Sequence, residues 1–75
     1  MTVTTTRSHF EVWTRRNGQL GAMGQHAETL REGEEIAEKI AETHGLPVVR
    51  LPPAESAQEQ TIDAIYIVER RTVSR

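Results

Sequence analysis

Few residues in this chain have both the type and the spacing to do chemistry. Ser8, Ser56 and Ser74 fall in segments read as loop or terminus, without the flanking glycines that build a strained nucleophile elbow. Ser8 and His9 are adjacent, which does not aim a base at a nucleophile. Glu34 and Glu35 pair only in sequence, because neighbours on a helix diverge by roughly 100° and do not share a site. The three histidines, His9, His26 and His44, are far apart and lack metal-ligand spacing. Gly18, Gly21 and Gly24 flank a predicted strand, whereas a phosphate cradle opens directly into a helix. The expectation is a non-enzyme with no catalytic residues, no metal and no cofactor.

One constellation is left: Trp13, Arg15, Arg50, Tyr66 and Arg70. By two-residue alternation, Trp13 and Arg15 share one face of an early strand, and Tyr66 and Arg70 share one face of the last. Arg50 joins them if Val49 and Leu51 point to the helix. Ile65 and Ile67 compete with Tyr66 for the helix-facing side. Tryptophan, tyrosine and arginine are enriched at binding hot spots. The same mixture suits base stacking and phosphate contact on a single-stranded nucleic acid. The plainer reading makes Trp13 core and the arginines solvated strand ends.

The elements that would position these residues follow from pattern. HFEVWTRR, residues 9–16, alternates as a strand. Asn17-Gly18 then supplies the positive φ values of a type I′ hairpin turn. The return strand is predicted over residues 19–26, with Gly21 and Gly24 marking a bulge or a close approach. Thr29 and Glu32 form a capping box that starts a helix over residues 30–44. Gly45 ends it and Pro47 forbids its continuation. Leu30, Gly33, Ile36, Ala37, Ile40, Ala41 and His44 form its apolar stripe. Gly33 is expected to let the helix approach the sheet closely. His44, at the helix C-terminus, reads as a capping residue.

PVVRL, residues 47–51, is a short strand stopped by Pro52-Pro53. AESAQEQ, residues 54–60, lacks periodicity, so residues 52–60 are read as a flexible loop. Thr61 to about Arg71 is the last strand, and its apolar run Ala64–Val68 implies burial on both faces. The fold class is therefore α+β: a single helix on one face of a small, mostly antiparallel sheet, in the order ββαββ. The helix covers one face and leaves the other open. The string F-x-V-x-x-R-x-N-G, then T-x-x-E, then H-G-L-P-V-V-x-L resembles a small ββαβ arrangement common to unrelated accessory domains. That resemblance carries no functional residues.

Seventy-five residues make one domain, 1–75, with residues 1–7 read as a ragged terminus or, through Thr2, Thr4, Thr5 and Thr6, an extension of the first strand. Core burial barely offsets chain entropy at this size, so a staple is needed. The chain has no cysteine and hence no disulfide, which leaves self-association. Net charge is only −2, with the acids gathered in and beside the helix and the arginines outside it. No global field draws the protein to nucleic acid or an anionic membrane. Neither a signal peptide nor a run near the ~20 apolar residues of a membrane span is visible, so a cytoplasmic protein is expected. The functional expectation is a homodimeric protein-binding module. It would act as an accessory or inhibitor of bacterial or phage type, through the open sheet face or an edge strand. The alternative is a single-stranded nucleic-acid binder using the aromatic and arginine face.

Overall fold

The computed structural model describes residues 5–74, with side chains over residues 7–71. In chain order the elements are β1 (Thr5–Arg16), β2 (Gln19–Leu20), β3 (Gln25–Ala27), α1 (Leu30–His44), β4 (Val48–Arg50) and β5 (Ala64–Ser74). A short 3₁₀ turn, Ala57–Glu59, interrupts the β4–β5 connection. Of the two readings of residues 1–7, the strand extension holds for residues 5–7, and residues 1–4 lie outside the described residues.

The hairpin forms where the sequence predicts. Asn17 has φ 54° and Gly18 φ 77°, the positive pair a type I′ turn requires. The return strand is split. Leu20 pairs with Arg15 and Gln25 with Val12, so residues 21–24 bulge out opposite Trp13 and Thr14. β5 lies along the other edge of β1 for its whole length, antiparallel from Thr5↔Ser74 to Arg15↔Ala64. β4 pairs with β5 in parallel, Val48↔Ile65 to Arg50↔Ile67. The sheet runs β2-β1-β5-β4, with β3 beside β2 on the same edge of β1. It is a mostly antiparallel α+β fold, with the return strand in two pieces and one parallel pair.

Helix α1 has the predicted bounds. Thr29 accepts a hydrogen bond from the Glu32 N–H at 3.1 Å, while the Glu32 carboxylate reaches back to the Glu28 N–H at 3.3 Å. Gly45 closes the helix at φ 67° and donates to the Ala41 carbonyl. Gly33, Ala37 and Ala41 are its buried residues, against Phe10, Val12, Ala27, Ile65 and Ile67 of the sheet. A Cβ at Gly33 would lie 3.6–3.7 Å from Phe10, Ala27 and Ile67, ordinary contact distance. The helix would therefore sit equally close with alanine, and the expected demand for glycine is not present. His44 is exposed, and its Nδ1 lies 2.8 Å from Arg16 Nη1. Because guanidinium only donates, that nitrogen accepts.

The second face is not open. Parallel neighbours cannot be joined by a hairpin and need a crossover. Residues 51–63 make it, and they pass over the face away from the helix. Leu51 and Ala57 bury themselves there against Ala64, Tyr66 and Val68, with Trp13, Leu20 and Val49 partly buried beside them. Tyr66 is 2% exposed, and its hydroxyl donates to the Ile62 carbonyl, tying the connection to β5. The segment read as a flexible loop is thus the second layer of the core. Among the described residues, no helix is long and apolar enough to cross a membrane.

Candidate functional site

The five residues singled out from the sequence are only partly brought together. Trp13, Arg15, Tyr66 and Arg70 all lie on the crossover face. Arg50 does not. Val49 sits opposite Tyr66 in the β4–β5 register, and cross-strand partners share a face. Val49 and Leu51 therefore point to the crossover layer, and Arg50 to the helix side. Tyr66 is sealed beneath that layer, so an exposed pair of aromatics ringed by arginines does not exist. The reading of the open face as a docking surface is corrected on this point. A platform that stacks bases between two exposed rings is lost with it.

What the crossover face presents instead is a polar cluster centred on Glu11. Trp13 Nε1 donates to Glu11 Oε1 at 3.0 Å, and Arg70 Nε donates to the same oxygen at 3.1 Å. His9 Nε2 lies 3.7 Å from the other oxygen. Burial pushes the Glu11 carboxyl up, but the bonds from Trp13 and Arg70 and the attraction of Arg70 and His9 outweigh it. The group sits below the ordinary glutamate value. The indole also rests on the bulge, where a Cβ at Gly24 would fall 2.5 Å from Nε1. Gly24 is the close approach that the glycine-broken strand suggested.

His9 and His26 stack at 4.9 Å between ring centroids, and His26 Nε2 lies 3.1 Å from Glu28 Oε1. This adjacency was hidden in the sequence. It depends on the Glu11↔His26 register beyond the bulge, which spacing alone does not reveal. The group still does not assemble three metal donors, and no such set occurs among the described residues. Further along β1, Arg15 Nε lies 3.6 Å from Asp63 Oδ1, beyond hydrogen-bond reach, and that same oxygen accepts from the Gly18 N–H at 3.1 Å. Asp63 thereby pins the hairpin turn to the start of β5. Trp13 Nε1 and Arg70 Nε thus spend their hydrogen bonds inside the fold, whereas Arg15 Nε is buried without a hydrogen-bond partner among the described residues.

The surface that remains unspent is backbone. Gly21 N–H donates to the Thr14 carbonyl at 2.8 Å, so the even-numbered residues of β1 face β2 and β3. Ile65 N–H donates to the Pro47 carbonyl at 2.9 Å and Leu51 N–H to the Ile67 carbonyl at 3.0 Å, so the odd-numbered residues of β5 face β4. Two-residue alternation carries both patterns outward, to Thr6 and Ser8 on one edge and Glu69 and Arg71 on the other. Pairing with β3 ends at Phe10↔Ala27, and pairing with β4 ends at Arg50↔Ile67. Beyond those points Thr5–His9 and Arg70–Ser74 form a two-stranded ribbon of five residue pairs. Among the described residues no third strand lies along it. It extends the molecule to 51 Å, against 23 and 19 Å in the other directions.

No known protein family, no characterised protein and no solved structure matches this chain.

Proposed function

We propose that this protein is a non-catalytic protein-binding module that pairs its bare strand edges with other chains, a second copy of itself among them. In that role it serves as an accessory or inhibitor of another protein. The supporting observation is the ribbon, along which no further strand pairs among the described residues. An isolated pair of strands is marginal in water, and an unpaired edge is a template for another strand. A chain of 75 residues without cysteine also gains most from an added layer of its own kind. The β1 edge suits self-pairing. Its sequence there, TTRS, carries one charge, and cross-strand threonine and serine pairs are favourable. Nucleic acid ranks second, since the ribbon keeps arginines but the stacking pair is gone.

Sedimentation equilibrium tests the self-pairing. A reversible monomer–dimer equilibrium at tens of micromolar is expected. Ser8→Pro removes one outward N–H at a position where an edge strand tolerates proline, and it should abolish the dimer while the domain still unfolds cooperatively. A monomer at every concentration, or a dimer indifferent to Ser8→Pro, would remove the self-pairing.

A further inference from the structure

We infer that the β5 edge is a strand-addition site for an extended acidic segment of a partner protein, an inference that rests on the edge-pairing reading above but uses the edge opposite the one assigned to self-pairing. β4 occupies this edge only as far as Ile67. The chain then turns away at Pro52-Pro53, and neither proline has an N–H to continue the ladder. Glu69 and Arg71 are left with outward backbone groups in the line that β4 has just vacated. An incoming strand would continue the ladder from there.

The edge opens beside a depression of about 350 Å³ on the helix side of the sheet. Phe10, Ile67, Pro52 and Pro53 give it apolar walls, and Arg50, Arg71 and the carboxylate of Glu69 give it charge. Arg50 is exposed and makes no ion pair among the described residues. Among the described residues Arg71 pairs with its neighbour-but-one, Glu69, at 3.1 Å, and its own side chain is 60% exposed, so an incoming carboxylate can reach it beside Glu69. Every second side chain of an added strand would point into this depression. Carboxylates there would meet the guanidinium of Arg50 and share that of Arg71 with Glu69, and guanidiniums bind carboxylates in a two-pronged geometry. Backbone bonds supply the pairing and the arginines select the charge. The same arginines disfavour a second copy at this edge, because it would bring its own Arg70 and Arg71.

The probe is a fluorescein-labelled, end-capped peptide of alternating valine and glutamate, read by anisotropy against the full chain. Saturable binding is expected, weakened about tenfold when lysine replaces glutamate and about tenfold by Arg50→Ala combined with Arg71→Ala. N-methylation of alternate backbone amides should abolish it. Equal binding of the lysine peptide, binding indifferent to N-methylation, or no binding at millimolar peptide would each overturn the inference. Tight binding of a mixed oligonucleotide that the glutamate peptide cannot displace would also overturn it, in favour of a nucleic-acid edge. The two readings fail separately. A dimer that ignores the peptide sinks only the acidic-segment site, and a monomer that binds the peptide sinks only the self-pairing.

Discussion

The two faces of β5 are equally dry but are kept dry by different means. On the helix side, burial is spread over a regular element. Small residues, Gly33, Ala37 and Ala41, let the helix backbone lie close over Phe10, Val12, Ile65 and Ile67. On the crossover side, burial is concentrated. One large side chain, Tyr66, fills the space under an irregular segment whose buried residues are Leu51 and Ala57, and its hydroxyl holds that segment by the Ile62 carbonyl. A helix keeps its own backbone satisfied whatever it packs on. The crossover has one 3₁₀ turn and depends on its anchor. The crossover face should therefore be the more brittle of the two.

Matched truncations give the largest test of that contrast. Tyr66→Ala should cost about 3–5 kcal/mol, and Ile67→Ala about 2–5 kcal/mol, both read from urea midpoints. The difference in kind matters more than the difference in size. Losing Tyr66 should release the connection, so limited proteolysis would cut within residues 52–62 before the rest of the chain. Ile67→Ala should show no such early cut. A Tyr66→Ala protein that unfolds within about 0.5 kcal/mol of the parent would mean that the crossover layer contributes nothing.

Glycine-to-alanine changes sharpen the comparison at smaller cost. At Gly24, on the crossover side, the new methyl would fall 2.5–3.0 Å from three atoms of the Trp13 indole. The ring must move and give up its bond to Glu11, so a loss of about 1–3 kcal/mol is expected, with a red shift of the single tryptophan's emission. At Gly33, on the helix side, the methyl meets its neighbours at 3.6–3.7 Å and fits. Alanine is the better helix former, so Gly33→Ala should stabilise by about 0.5–1 kcal/mol. Opposite signs at the two sites are the outcome to look for, and destabilisation at both would show that the helix face is as tightly filled as the other.

The regular side was legible from residue order, and the irregular side was not. Thr29, Glu32 and Gly45 bounded the helix because capping is local chemistry, and Asn17-Gly18 placed the turn for the same reason. The crossover depends on β4 pairing parallel to β5, which is a long-range fact. AESAQEQ conceals its role, because one alanine, Ala57, does its burying. A signal was nonetheless present. The unbroken run Ala64–Val68 implies cover on both faces, which contradicts a sheet with one face open. Given that cover, the burial of Tyr66 follows directly. Arg50 was misplaced for the same reason, since its direction is set by Val49 lying opposite Tyr66.

The smallest effect lies at the rim of the crossover face, in the titration of Glu11. Burial alone would raise its pKa, but Trp13, Arg70 and His9 together hold it below the ordinary value. A carboxylate whose folded pKa is depressed stabilises the fold at pH values above its unfolded pKa, about 4.3. That contribution is lost as pH falls through the lower folded value. Glu11→Gln keeps the shape and an acceptor oxygen but removes the charge. The variant should be less stable than the parent by about 1 kcal/mol or less near neutral pH, because hydrogen bonds to a charged acceptor exceed those to a neutral one. The gap should close on acidification, as the parent's own Glu11 becomes neutral. Urea midpoints of the two proteins followed from neutral to strongly acidic pH would show it. A gap that persists unchanged in acid would mean that Glu11 acts through packing, and that the Trp13 and Arg70 bonds at this rim are indifferent to its charge.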